Sequence, residues 1–547
     1  MKKQLREYQL DMKGKVYTAW DEGHRNVLLV CPTGGGKTIT FSAVVYETKE
    51  LTTAIIVHRK ELVQQICMTL ADEEIEHNII ASRKDIRAII NGERAEYKRS
   101  FYNPNSKVTV ISVDTLISRQ EVYKHWFPSV QQVIVDEAAH VLQENKWGKA
   151  TKLFPNARVL GVTATPERLD RKGLGSHVDG IFDVMVQGPS TRWMIDNGYL
   201  SKYKIAIPES DYNNYLKNSS DKSDYSKKAM MEASQQSQIT GDVVENYIKH
   251  ANGQQAIVFA TDITTAKKMQ ANFLAKGIIA QELNGTTKEK ERVDSLIKFR
   301  HKEIKVLINV DLFDEGLDVV GISCVILARP TKSLGKFLQQ VGRGLRIAEG
   351  KDYLILIDHV NNVTRLGLPC NNRIWTLDRI KKTGKKLNFL RICSNTMCNA
   401  PYDRALTECP FCDTPAITAT KAGEGGGRVP PMQVDGDLVL IDPEMLRAFE
   451  ERSNLEAPAR VAERVSKAVD GAAGLRAMKN QQDRIQMQKD LSLVIAKWAG
   501  EMKTFYGYTD RMIHKKFYLF HEMTITEALG MPKKDMEKLK NTIEDYV

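Results

Sequence analysis

Asn26-Val-Leu-Leu-Val-Cys-Pro-Thr-Gly-Gly-Gly-Lys-Thr38 joins an apolar run to three glycines, a lysine and a threonine. A short apolar run ending at Val30 reads as a buried strand. It empties through Thr33 into Gly34, Gly35 and Gly36, then Lys37, Thr38 and a helical pattern from Ile39 to Lys49. Successive glycine N–H groups can turn inward around a phosphate, and the new helix presents its positive end to it. Lys37 can reach outer phosphates and the Thr38 hydroxyl can sit on Mg²⁺. Cys31 stands where the general pattern of such loops has its first glycine. A plain glycine-rich turn is the alternative, and a strand before with a helix after argues against it.

Upstream, Leu5-Arg-Glu-Tyr-Gln9 opens a short amphipathic helix. Arg6 and Gln9 can hydrogen-bond the edges of a purine, or they can belong to an ordinary solvated helix face. Downstream, Ala54–Val57 and Val108–Ser112 read as strands, and Gln132–Val135 runs straight into Asp136-Glu137. An aspartate at a strand's carboxyl end can hold Mg²⁺ through water, and the next glutamate can polarise the water that attacks a γ-phosphate. Val159-Leu-Gly-Val-Thr-Ala-Thr-Pro166 is one more strand, ending in the hydroxyls of Thr163 and Thr165.

From about 209 to 238 the chain turns polar and reads as an exposed connection. Strands then alternate with helices again, from Ala256 to Ile357, which predicts a second parallel, helix-flanked sheet. It carries Phe313-Asp-Glu-Gly-Leu-Asp318 and Gln339-Gln-Val-Gly-Arg-Gly-Leu-Arg346. Arg343 and Arg346, three apart, are expected on one helix face. If the two domains close on one nucleotide, these arginines offset transition-state charge, an effect on the order of 10³–10⁵ in rate.

The ordered set Gly34-x-Gly-Lys-Thr38, Asp136-Glu-Ala138, Thr163-Ala-Thr165, Gly316/Asp318 and Gln339-x-x-Gly-Arg343-x-x-Arg346 resembles the motifs of superfamily 2 helicases, and the Arg6/Gln9 stretch resembles their adenine-reading motif. Residues 1 to about 367 are similar to the group that holds the XPB and phage branch-migration helicases; Arg329-Pro-Thr-Lys-Ser333 and Leu356-Ile-Asp-His359 look like its phage-encoded members. The resemblance implies two tandem RecA-like domains, ATP and Mg²⁺, catalysis by Asp136, Glu137, Gln339, Arg343 and Arg346, and coupling through Thr163 and Thr165. It also implies nucleotide contacts at Gly316 and Asp318, nucleic-acid contacts at Arg59, Thr115, Thr261 and the Gly316 region, and DNA as partner. One departure stands out. The family reads Asp-Glu-Ala-His or Asp-Glu-Ala-Asp, whereas this chain reads Asp136-Glu-Ala-Ala-His140, which moves the histidine by one place.

Beyond the motor, Arg379 to Arg391 is basic, with Lys381, Lys382, Lys385 and Lys386 as candidate phosphate contacts or as a solvated face. Cys393-x₄-Cys398-x₁₀-Cys409-Pro-Phe-Cys412 spaces four thiolates as a structural Zn²⁺ site. Such a site either only staples a small ribbon or also touches nucleic acid. Lys421 to Pro431 reads as a linker, and the remainder as helical, with Trp498, Phe505, Tyr506, Phe517, Tyr518 and Phe520 for a small core.

At 547 residues the chain is long enough for roughly three to five units. A net charge of +11 allows a polyanionic partner. There is no apolar run long enough to span a bilayer and no secretory pattern at Met1-Lys-Lys-Gln, so no membrane partner is expected and the cytosol is the expected compartment. The expected organisation is α/β: RecA-like parallel-sheet domains at 1–195 and 196–367, a basic segment and zinc ribbon at 368–420, a linker at 421–436 and a helical C-terminal domain at 437–547. The expected activity is ATP-dependent translocation on, or remodelling of, single-stranded, forked or branched DNA, with replication or recombination proteins as partners of the C-terminal part. An RNA helicase and an ATP-gated nucleic-acid clamp remain as alternatives.

Overall fold

The apolar run ahead of the glycines forms strand β1 (Asn26–Val30) in the computed structural model of the chain. Val27 and Leu29 enter one hydrophobic core and Leu28 and Val30 the other, since successive strand residues face opposite sides. Coverage on both faces is why the strand is continuously apolar rather than alternating. The structure describes residues 4–208, 224–225, 239–313, 321–371, 373, 375–380, 390–392, 401–403, 438–441, 471–506, 508, 513, 516–517, 520–521, 525–531 and 533–544.

The first sheet has the order β3 (Asn78–Ile80), β4 (Val108–Ser112), β2 (Thr53–Val57), β5 (Gln132–Asp136), β6 (Arg158–Thr163), β1, β7 (Val184–Gln187). All its pairings are parallel. Every strand therefore ends on the same side. Val30 lies opposite Thr163, and Val162 opposite Asp136, so three chemically distinct strand ends meet side by side.

The second sheet repeats the plan: β10 (Ala280–Leu283), β11 (Val306–Asn309), β9 (Ala256–Phe259), β12 (Cys324–Leu327), β13 (Tyr353–Asp358), β8 (Lys202–Pro208), β16 (Leu438–Ile441). Its pairings are parallel except that β16 runs antiparallel to β8 and covers an otherwise open edge. Residues 438–441, expected within the helical C-terminal part, are thus the last strand of the second sheet. One hydrophobic cluster, from Tyr8 to Cys370, runs through both lobes.

The chain crosses between the lobes more than once. The first crossing follows helix Thr191–Asp196, where Ser201 N–H donates to the Leu345 carbonyl. The second comes after helix Asn362–Leu366. There Trp375 and Leu377 pack onto the first lobe, the Leu377 carbonyl accepts from Gly175 N–H, and the Ile380 N–H donates to the Arg171 carbonyl. Arg379 grips Asp179 with two hydrogen bonds of 2.7 Å. Strands β14 (Leu390–Ile392) and β15 (Pro401–Asp403) form an antiparallel pair, with Cys393 and Cys398 between them in sequence.

Helices Gly471–Tyr506, Ile525–Gly530 and Lys533–Glu544 close on a separate core that includes Trp498, Phe517, Leu529 and Ile543. Of the aromatics expected in that core, Trp498 and Phe517 are buried, whereas Tyr506 and Phe520 are exposed. The side chains of Phe505 and Tyr518 lie outside the described residues. No described helix is long and apolar enough to cross a membrane.

Candidate active site

Helix Lys37–Glu47 begins directly after the glycines, with Gly36 as its N-cap at φ 80°. Gly34 is also left-handed, at φ 85°. Neither position suits a side chain. Gly35 is required for closeness instead, because a Cβ there would collide with the Cys31 sulfur and the Pro32 carbonyl. Cys31 is fully buried, its N–H donates to the Thr163 carbonyl at 3.0 Å, and burial pushes its thiol up to about 11. The residue that departs from the general loop pattern is therefore an inert floor under the glycines. The cradle, with Lys37 and Thr38 on the first turn, suits a triphosphate and its Mg²⁺.

Asp136 is 6% exposed and accepts the Glu137 N–H at 3.0 Å. Glu137 takes a left-handed conformation, φ 51°, which a glutamate adopts only under constraint. Its carboxylate accepts a 3.1 Å hydrogen bond from Gln339 Nε2, from the other lobe. Gln339 and Arg343 both belong to helix Leu334–Gly344 and are nearly buried. Arg346 differs from expectation: the helix stops at Gly344, so the two arginines do not share one helical face. Ser201 Oγ and Lys351 Nζ hold the Arg346 carbonyl at 3.2 and 2.7 Å. Burial, with Arg346 nearby, pushes that lysine down to about 8. The Arg346 side chain still lies over Gly34, and Gly342 packs against Thr33 with no room for a side chain.

Thr163 and Thr165 are buried and tied to one another, the Thr165 N–H donating to Thr163 Oγ1 and Thr163 Oγ1 to the Thr165 carbonyl, each at 3.3 Å. The Thr165 hydroxyl faces Gly335 at the start of the arginine-bearing helix. Gln9 lies over Gly36, accepts the Arg6 N–H at 3.0 Å and donates to the Gly35 carbonyl at 3.4 Å. The Tyr8 hydroxyl donates to the same carbonyl at 3.0 Å. Tyr8 also packs on Trp193 and Tyr199, with the Arg6 guanidinium 5.1 Å from the Tyr199 ring centre. Trp193 and Tyr199 come from the first crossing, and no motif spacing announces them. A cavity of about 60 Å³ between the lobes is lined by Thr33, Ala164, Leu338, Gly342, Arg373 and Trp375, beside the phosphate cradle rather than in it.

The expected nucleic-acid residues separate. Arg59 caps helix Lys60–Asp72, and its guanidinium donates to the Leu312 carbonyl of the second lobe at 3.3 Å. Nearby, Arg292 and Glu61 pair across the lobes at 2.8 Å. Thr115 sits half-buried on helix Val113–Ser118. Thr261 is 3% exposed and its hydroxyl donates to the Ala328 carbonyl, joining the ends of two strands. Gly316, Asp318, Lys381, Lys382, Lys385, Lys386, Cys393, Cys398, Cys409 and Cys412 lie outside the described residues. Among the described residues no group of His, Cys, Asp and Glu is arranged to hold a metal.

Residues 2–168 match the family described as "Type III restriction enzyme, res subunit", and residues 240–348 match the "Helicase conserved C-terminal domain". A 51.5 kDa protein of a Lactococcus phage is 30% identical over 428 residues, covering 77% of this chain and 83% of that one. The DNA 3'-5' translocase XPB2 of Sulfurisphaera tokodaii is 26% identical over 394 residues, 65% of this chain and 81% of that one. The Pyrococcus furiosus Hef helicase domain superposes with a TM-score of 0.40 at 16% identity, over 65% of this chain and 95% of that one.

Proposed function

The chain belongs to the superfamily 2 helicases, as an ATP-hydrolysing member with two RecA-like domains, and on that premise we propose that it couples hydrolysis to movement along, or remodelling of, DNA. The observation that carries the proposal is the 3.1 Å hydrogen bond from Gln339 to Glu137, which joins the two lobes at the carboxylate best placed to orient a water. In this reading Gly34 to Thr38 cradle the triphosphate, and Thr38 and Asp136 are the residues that would hold Mg²⁺, which would supply charge neutralisation at the phosphates. Glu137 orients the attacking water. Arg343 and Arg346 reach the γ-phosphate from the second lobe, so binding favours the closed cleft and hydrolysis releases it.

Arg59 and Thr115 then line one half of a nucleic-acid path, with contacts to backbone rather than base. The basic run at 381–386 extends the path, Cys393, Cys398, Cys409 and Cys412 hold a structural Zn²⁺, and the C-terminal helices recruit replication or recombination proteins in the cytoplasm. An ATPase panel with single-stranded, duplex, forked and four-way DNA beside RNA tests the proposal. Stimulation by DNA with strand displacement is expected. Stimulation by RNA alone would make this an RNA helicase, and stimulation without displacement or translocation would make it a clamp. Zinc analysis of the pure protein tests the metal.

A further inference from the structure

Within the polar connection that the sequence predicts at about 209 to 238, Asp224 and Tyr225 are seated on the second lobe. Asp224 Oδ2 accepts from the Thr331 hydroxyl at 2.9 Å, and Asp224 Oδ1 accepts from the Lys332 N–H at 2.8 Å. Thr331 is fully buried, and its hydroxyl oxygen also accepts the Ser333 N–H at 3.0 Å. Ser333 in turn caps helix Leu334–Gly344, accepting the Lys336 N–H at 3.2 Å. The Tyr225 ring packs against the large hydrophobic cluster and meets two cations, Lys332 Nζ at 4.9 Å and the Arg365 guanidinium at 5.7 Å from its centre. Buried Asn362 fixes this seat: its Oδ1 accepts from the Thr331 N–H at 3.0 Å and from Arg365, and its Nδ2 donates to the Arg329 carbonyl at 3.0 Å. The seat is built from the loop Arg329-Pro-Thr-Lys-Ser333 and helix Asn362–Leu366.

The groups of that seat are those that hold one nucleotide of a strand. A hydroxyl, a backbone N–H and a cation are donors to phosphate oxygens, and a guanidinium or ammonium against an aromatic face holds a ring without regard to its identity. Asp224 supplies the anion and Tyr225 the ring. The seat also adjoins the nucleic-acid path of the functional reading. Arg59 of the first lobe reaches the Leu312 carbonyl, neighbouring Asp311 pairs with Arg329, and Arg329 opens the loop that carries Thr331 and Lys332. We propose that Asp224 and Tyr225 are an intrachain plug, carboxylate for phosphate and phenol for base, that occupies a single-stranded nucleic-acid subsite formed by Thr331, Lys332 and Arg365, and that the incoming strand must displace it. A plain anchor needs one hydrogen bond; here the carboxylate takes both donors and the ring meets both cations. A plug docked about 90% of the time weakens apparent affinity about tenfold. The inference rests on the nucleic-acid reading above.

The test measures binding of fluorescein-labelled oligothymidylate, and of the matching oligouridylate, to the full chain without nucleotide. The proteins are the wild type, Asp224→Asn, Asp224→Glu, Tyr225→Ala and the Asp224→Asn/Tyr225→Ala double variant, with melting midpoints taken on each. Asp224→Asn, Tyr225→Ala and the double variant are expected to bind about 3–10-fold tighter, and to need correspondingly less strand for half-maximal stimulation of ATP turnover. Asp224→Glu, which keeps the charge, should stay within about twofold of the wild type. In the Asp224→Asn background, Lys332→Ala should weaken binding and lower the salt slope by about 0.7, the share of one phosphate contact on a single strand. Tightening on either strand supports the plug and identifies the strand it excludes. Wild-type or weaker affinity in both Asp224→Asn and the double variant would overturn it, as would affinity and salt slope left untouched by Lys332→Ala in the Asp224→Asn background. Failure of every protein, wild type included, to bind either strand would overturn the functional reading, and this inference with it.

Discussion

Glu137 sits in a left-handed conformation, φ 51°, and the adjacent Asp136 carboxylate accepts its N–H at 3.0 Å. Glu137→Gln is expected to keep nucleotide affinity while turnover falls by about 10²–10⁴, the usual range for a lost general base. Equilibrium binding of a fluorescent nucleotide beside steady-state turnover checks this, and full turnover would remove Glu137 from its role. Arg343→Ala should likewise lower turnover, by about 10³, more than it lowers affinity. These residues were legible because phosphate chemistry fixes both residue type and place in the chain. The bond from Thr261 to the Ala328 carbonyl was not, because sequence shows a hydroxyl after a strand but not the direction in which it turns. Trp193 and Tyr199 were silent for a different reason: they reach Tyr8 from nearly two hundred residues away, and only the fold brings them there.

Helix Arg83–Tyr97 buries Ile89 in the hydrophobic core and Glu93 in a polar knot. Glu93 lies 3.1 Å from His77, with both side chains fully buried, and accepts from Ser100 Oγ at 2.6 Å and the Phe101 N–H at 2.8 Å. Burial alone would raise its carboxyl, but the hydrogen bonds from His77, Ser100 and Phe101 outweigh it and leave the group below the usual glutamate range. A depressed carboxylate stabilises the fold above its unfolded pKa of about 4.3, and the contribution disappears as pH falls through the folded value. His77→Ala strands the charge and should cost about 3 kcal/mol at neutral pH, with a shallower loss on acidification than in the wild type. Melting midpoints across the acid limb measure both. Trp498→Ala should unfold the C-terminal helices, since such truncations cost about 3–5 kcal/mol, and leave ATP turnover intact. Calorimetry would then lose one transition and keep another; parallel loss of turnover would show that the two parts depend on each other. Element identity was readable wherever strands and helices alternate around an apolar core. Strand β16 was not, because four apolar residues between polar flanks carry no mark of the sheet edge they will cover.

Across the whole molecule, the polar contacts Gln339 to Glu137, Arg59 to Leu312 and Arg292 to Glu61 join the lobes beside the hydrophobic cluster they share. The last is partly exposed and contributes at most about 1 kcal/mol, so these contacts alone do not lock the lobes. Dyes at exposed Lys124 and Lys276 should approach when a non-hydrolysable ATP analogue binds, and should fail to do so in an Arg343→Ala/Arg346→Ala variant. An unchanged distance in the wild type would sink the closing motion.

Ile380 is fastened to the first lobe through Arg171, while Leu438 is paired with Pro208 in the second. The intervening stretch, which includes the four clustered cysteines, therefore has one foot on each jaw of the machine. Any nucleotide-driven rocking changes the span between those feet, as a calliper's arms part when its jaws do, so a ligand held along that stretch would register the stroke without contacting the nucleotide.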